Sequence, residues 1–72
     1  MKKIKKIKIK LNGKIKSIDE NYKIQRLLND LNVSTKKIAI ELNQEILDKK
    51  KLNRIKLKKN DIIEIVHFIG GG

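Results

Sequence analysis

Three glycines, Gly70, Gly71 and Gly72, follow directly on the apolar run Ile62–Ile69 at the end of the sequence. They bring no side-chain chemistry, so the reactive group on offer is the terminal α-carboxylate, which is ionised above about pH 3.5. A carboxylate is an adequate nucleophile towards the α-phosphorus of ATP and a poor electrophile. As an acyl-adenylate it gains a good leaving group, and a sulfur donor can then attack the carbonyl to leave a thiocarboxylate on Gly72. Glycine suits such a tail. Without a Cβ it threads a narrow channel beside a nucleotide, and three extended residues reach roughly 10 Å beyond a sheet. In this reading Gly72 is the modified residue, and Gly70 and Gly71 thread into a partner's active site. Taken alone, terminal glycines also read as a frayed end. They are not a phosphate loop, because no helix and no Lys-Ser/Thr pair follow them.

The rest of the chain excludes most ways of doing this chemistry unaided. The sequence has no cysteine and one histidine, His67. That leaves no thiol nucleophile, no disulfide framework and no zinc set or catalytic pair. No base, metal ligand set or phosphate loop is evident, so the expectation is a chain that is neither enzyme nor metal protein and binds no cofactor. ATP would be used by a partner. His67, at the end of a strand, reads as structural or exposed rather than catalytic. No apolar stretch reaches the length of a membrane span, and the basic start MKKIKKIKIK lacks the apolar block of a signal peptide. Both point to a cytoplasmic protein.

The formal net charge is +11 from 19 Lys and Arg against 8 Asp and Glu, which raises nucleic acid as a partner. The cations are nearly all lysine, with only Arg26 and Arg54, whereas base reading favours arginine. Single-strand platforms need stacking aromatics, and only Tyr22 and Phe68 are present. Solvated strand faces and AT-rich codons account for most of the lysines, and the Lys49–Lys51 run reads as solvated or as steering an acidic partner. Nucleic acid is the weaker reading.

The elements that must position the tail are short. IKIKL (Ile7–Leu11) alternates apolar and basic residues, predicting a half-buried strand with Ile7, Ile9 and Leu11 inward. Asn12-Gly13 is a hairpin signal. A three-residue loop with Gly13 in a bulge would pair Leu11 with Ile15 and keep Ile15 inward, and it is the preferred arrangement. Ile24, Leu27, Leu28 and Leu31 make one stripe on an amphipathic helix of roughly three turns, capped at Asn21 or a neighbour and ended by Asn32. Tyr22 reads as an anchor from loop to core. KIAIEL (Lys37–Leu42) alternates again, Asn43-Gln44 turns, and EIL is a brief partner strand. DKKKLN has one apolar anchor, Leu52, and RIKL is a further short alternation. The last strand, IIEIVHF, puts Ile63 and Ile65 on one face and Ile62, Glu64, Val66 and Phe68 on the other.

Two strands, one helix and further strands predict an α+β fold. One helix packed across a mixed sheet of four to five strands is the β-grasp arrangement, with the first and last strands parallel in the middle. The domain is expected to run from 1 to 69, with 70–72 a flexible glycine tail. Val66 and Phe68 form an outer apolar patch beside the tail. It reads either as a docking surface for an activating enzyme or, for Phe68, as cover for the sheet edge.

LNGK near the start, IQRLLNDLN, IAIELNQEI and above all DIIEIVHFIGGG resemble the ThiS family, the small sulfur carriers of thiamine biosynthesis. The resemblance covers nearly the whole chain, from about residue 7 to 72, and its specific part is the C-terminal segment. The Lys-rich start and DKKKLNRIKLKK match in layout more than identity, and the high positive charge is a departure. The resemblance implies a ubiquitin-like β-grasp fold and the family's Gly-Gly end at Gly71 and Gly72. It implies adenylation of the Gly72 carboxylate by an E1-like, ATP-dependent enzyme (ThiF type), sulfur from a persulfide donor, and delivery to a thiazole synthase (ThiG type). A molybdopterin-type sulfur carrier shares the fold and tail. A small basic nucleic-acid-binding domain and a β-grasp interaction module with an inert tail are readings of other classes.

Overall fold

The computed structural model describes residues 5–67. Five strands form one mixed sheet: β1 (Lys6–Leu11), β2 (Lys14–Asp19), β3 (Ile38–Leu42), β4 (Glu45–Ile46) and β5 (Ile62–His67). Their order across the sheet is β2-β1-β5-β3-β4. β5 runs parallel to β1 and antiparallel to β3, so the first and last strands do lie side by side in the centre. One helix, α1 (Ile24–Asp30), supplies the second layer. The core between them joins Ile9, Ile18, Ile38, Ile40, Ile63 and Ile65 of the sheet to Ile24, Leu27 and Leu28 of the helix, with Tyr22, Leu52 and Leu57 closing its rim.

The β1–β2 hairpin departs from the expected bulge. Leu11 pairs with Lys14, not Ile15, across a two-residue turn in which Asn12 (φ 47°) and Gly13 (φ 82°) are both left-handed. Two positive φ values give the turn whose twist matches that of the flanking strands. The tighter loop sends Ile15 to the outer face, where it is 73% exposed. Lys16 then shares the core-side face with Ile18 and is half-buried, its aliphatic stem serving at the sheet edge where an apolar residue was expected.

The helix is also shorter than its apolar stripe suggests, at 7 residues. Asn21 does not cap it but takes a left-handed turn conformation (φ 65°) upstream. Lys23 is the N-cap residue and makes no side-chain cap bond. Backbone replaces the cap: Ile24 N donates to Ile55 O at 3.0 Å and Leu57 N to Tyr22 O at 2.8 Å. The RIKL segment therefore makes an isolated bridge, Lys23 to Lys56, instead of a strand, and Ile55 O satisfies one donor, Ile24 N, that a helix start leaves open. At the other end Asn32 (φ 56°) reverses the chain. Its N–H bonds Asn29 O, and Val33 N–H bonds Leu28 O, which is the Schellman arrangement. Leu31 is the C-cap residue; its N–H still bonds Leu27 O at 3.0 Å, and it is 37% exposed. So short a helix depends on its packing against the sheet.

Between α1 and β5 the lysine run lies in a 3-10 segment, Lys49–Arg54, opened by Asp48 Oδ1 accepting from Lys50 N at 2.9 Å. Leu52 anchors it, 1% exposed. Tyr22 is buried as the expected anchor; its hydroxyl donates to Asp30, and the Arg26 guanidinium lies 4.5 Å from its ring centroid.

Candidate functional site: the central strand and its outer face

The tail is reached through β5, and the alternation along β5 is realised. Ile63 and Ile65 face the core, whereas Ile62 (44% exposed) and Val66 (47% exposed) face outward. Phe68 and the glycines Gly70, Gly71 and Gly72 lie outside the described residues. Of the residues assigned to docking, the structure thus places Val66 on the open sheet face. It sits opposite Ala39 of β3. His67, opposite Ile38, is exposed.

Two asparagines hold β5 from its two sides, and neither role is visible in the local sequence. On one side the β1 ladder stops after Lys10–Ile62 and Leu11–Ile63. Asn12 extends it: its backbone N donates to Ile63 O at 2.9 Å. Its side-chain Oδ1 accepts from Ile65 N at 2.7 Å, and Nδ2 donates to Ile65 O at 3.4 Å. A turn residue thereby does the work of a further strand residue, satisfying backbone groups that would otherwise be exposed at the strand's end. On the other side, Asn43 N donates to Ile62 O at 2.8 Å, and its Oδ1 accepts from Ile62 N at 2.9 Å. Asn43 Nδ2 also reaches Asp61 Oδ1 at 3.1 Å, while Asp61 Oδ2 accepts from Lys58 N at 2.7 Å. Both asparagines are left-handed (φ 47° and 51°), a conformation their short polar side chains tolerate. As turn residues they read only as loop formers; the bonds to β5 span 53 and 19 positions, beyond any local signal.

The outer face carries Lys6, Lys8 and Lys10 from β1 and Ile15, Ser17 and Asp19 from β2. From β5, β3 and β4 come Ile62, Glu64, Val66, Ala39, Glu41 and Ile46, as the pairing registers require. A shallow groove runs over it between Lys8, Lys10, Ile15, Asn60 and Ile62. Lys6 bonds Asp19, and this hydrogen bond holds the Asp19 carboxyl below the usual aspartate range. Among the described residues no three His, Cys, Asp or Glu side chains come together in a way that could hold a metal ion. None of their helices is long and apolar enough to cross a membrane. Chemically the site is a firmly seated strand leading to the tail, beside an open, partly apolar sheet face.

Comparison with known proteins bears on what such a strand is for. The model of the ThiS family matches residues 9–72. The sulfur carrier protein ThiS of Bacillus subtilis (strain 168) is 40% identical over 65 residues, covering 89% of this chain and 98% of that protein. A thiazole synthase of Paramagnetospirillum magneticum is 35% identical over 66 residues; the match takes in 92% of this chain but spans only 20% of that protein's length. Among solved structures, the thiamine biosynthesis protein ThiS of Geobacter metallireducens superposes with a TM-score of 0.78 at 30% identity, covering 92% of this chain and all (100%) of that one.

Proposed function

The chain belongs to the ThiS family, the sulfur carriers of thiamine biosynthesis, and from that premise we propose that its working group is the α-carboxylate of Gly72. The carboxylate oxygen attacks the α-phosphorus of ATP on an E1-like adenylating enzyme of the ThiF type, and pyrophosphate leaves. A persulfide sulfur then displaces AMP from the acyl carbon. Reduction of the resulting S–S bond by a thiol leaves a thiocarboxylate on Gly72. A thiazole synthase of the ThiG type takes that sulfur for the thiazole ring. ATP is the enzyme's substrate, and this chain is the carrier acted upon, working in the cytoplasm. Gly70 and Gly71, having no Cβ, pass the enzyme's channel.

The observation that carries this reading is that the family match runs through Gly72. Two others support it. β5 is fixed on both sides by Asn12 and Asn43, so the strand ahead of the tail is preorganised for a partner. The likeness to one fifth of a thiazole synthase links a segment of this kind to that enzyme in a single chain. Docking of the activating enzyme is assigned to Val66 on the outer sheet face and to Phe68. The test is intact mass after incubation with ATP, the adenylating enzyme and a persulfide donor. Replacement of one oxygen by one sulfur, mapped to Gly72, is the expected result. An unchanged mass under conditions that convert the Bacillus subtilis carrier would refute it.

A further inference from the structure

The outer sheet face has a charge layout that its own fold does not explain. Glu64 of β5 lies directly opposite Glu41 of β3, and their side chains share the outer face. Like charges directly opposite in a sheet are destabilising. The chain has 19 Lys and Arg against 8 Asp and Glu, yet among the described residues the ion pairs Lys6–Asp19 and Arg26–Asp30 leave both glutamates out. Around them the face is apolar: Ile62 and Val66 flank Glu64 along β5, and Ile46 lies opposite Glu41 on its other side. These three are 44%, 47% and 75% exposed. The same face turns basic on β1, where Lys10 stands between Ile15 and Ile62 in one row and Lys8 follows in the next.

A surface of two signs around an apolar centre selects its occupant by charge complementarity. A nucleic acid would bring phosphates over the glutamate pair. A second copy would bring another net charge of +11 against the first, and repulsion between two such bodies opposes their association. What fits is a protein surface with a cation over Glu41 and Glu64, carboxylates over Lys8 and Lys10, and apolar side chains against Ile62 and Val66. Two adjacent carboxylates suit a planar guanidinium, which offers several donors in a fork, better than the single point of an ammonium.

We propose that Glu41 and Glu64 together receive an arginine of the adenylating enzyme and fix the orientation in which the tail enters it. This rests on the carrier reading above. A guanidinium set over both glutamates offsets the repulsion between them, so the pair exchanges some stability of the free protein for specificity.

The test is the double variant E41Q/E64Q of the full chain. Tm is measured by calorimetry, and Kd for the adenylating enzyme by titration in low and in physiological salt. Expected are a Tm equal to or above the parent's and a Kd raised roughly tenfold. The salt dependence of binding should be shallower. In ATP–pyrophosphate exchange KM should rise with kcat nearly unchanged, since the tail is intact. A merely structural role would lower Tm and leave KM alone. Binding within about twofold of the parent, or tighter, overturns the proposal. So does a parent protein that sediments as a dimer dissociated by the double variant. If the parent chain itself is not adenylated, the carrier reading falls and this inference with it. An adenylated parent beside an equally well bound double variant removes this inference alone.

Discussion

The two faces of β5 are built from similar side chains and have opposite surroundings. Ile63 and Ile65 are 0% and 8% exposed beneath α1, while Ile62 and Val66, one residue out of phase, remain nearly half exposed on the open side of the sheet. A β-strand's period of two makes such a division inevitable in geometry, but it does not require the outer side to be apolar. The core face is what folding needs. The outer face retains Ile15, Ile46, Ile62 and Val66 beside a pair of opposed glutamates, a composition that contributes little to the monomer and is suited to a partner. On the proposed carrier reading, folding and docking divide across the thickness of one strand, and in the sequence the glycines follow shortly after that same strand.

That separation can be broken from either side. The largest effect on stability is expected for Ile63→Ala. Removing a fully buried side chain between β1, β3 and α1 should cost about 2–4 kcal/mol in denaturant unfolding. A loss below about 1 kcal/mol would mean that β5 is not the centre of the core. An intermediate effect is expected at the clamp. Asn12→Gly keeps the left-handed turn accessible and removes only the side-chain bonds to Ile65. It should cost about 1–2 kcal/mol and speed amide exchange at Ile65 more than at Ile40. Equal changes at both amides would show that Asn12 acts on the whole sheet rather than on this strand. The smallest effect on stability belongs to Ile62→Ala, expected within about 0.5 kcal/mol of the parent, with measurably weaker binding to the adenylating enzyme. Destabilisation as large as that of Ile63→Ala would erase the contrast between the faces.

Much of this division is legible in the alternation of Ile7–Leu11, Lys37–Leu42 and Ile62–His67, because a strand with one buried face leaves its period in the sequence. The position of Asn32 at the helix end was legible too, since a left-handed residue is tolerated best by Gly or Asn. Sequence and structure part where apolar residues serve something other than the core. As an isoleucine Ile15 reads as inward, which calls for a bulge, whereas Asn12 and Gly13 close the turn in two residues. Leu31 ends the helical stripe as the C-cap residue, at the exposed margin of the core rather than within it. The start of α1 could not be read from caps, because the partners of its N-terminus come from Ile55 and Leu57, roughly thirty positions away. Asn12 and Asn43 were legible as turns and illegible as clamps for the same reason of distance. For the site itself, Val66 was placed correctly from phase alone; Gly70, Gly71, Gly72 and Phe68 lie outside the described residues, and their roles rest on the tail's chemistry and the family.

The measurement closest to the central claim is ATP–pyrophosphate exchange by the adenylating enzyme, run with the parent chain and with a chain lacking Gly72. If the fold only presents the tail and the carboxylate of Gly72 is the reacting group, the truncated chain should keep its Tm and its binding while exchange falls to background. Exchange that persists at the parent's rate without Gly72 would contradict the assignment.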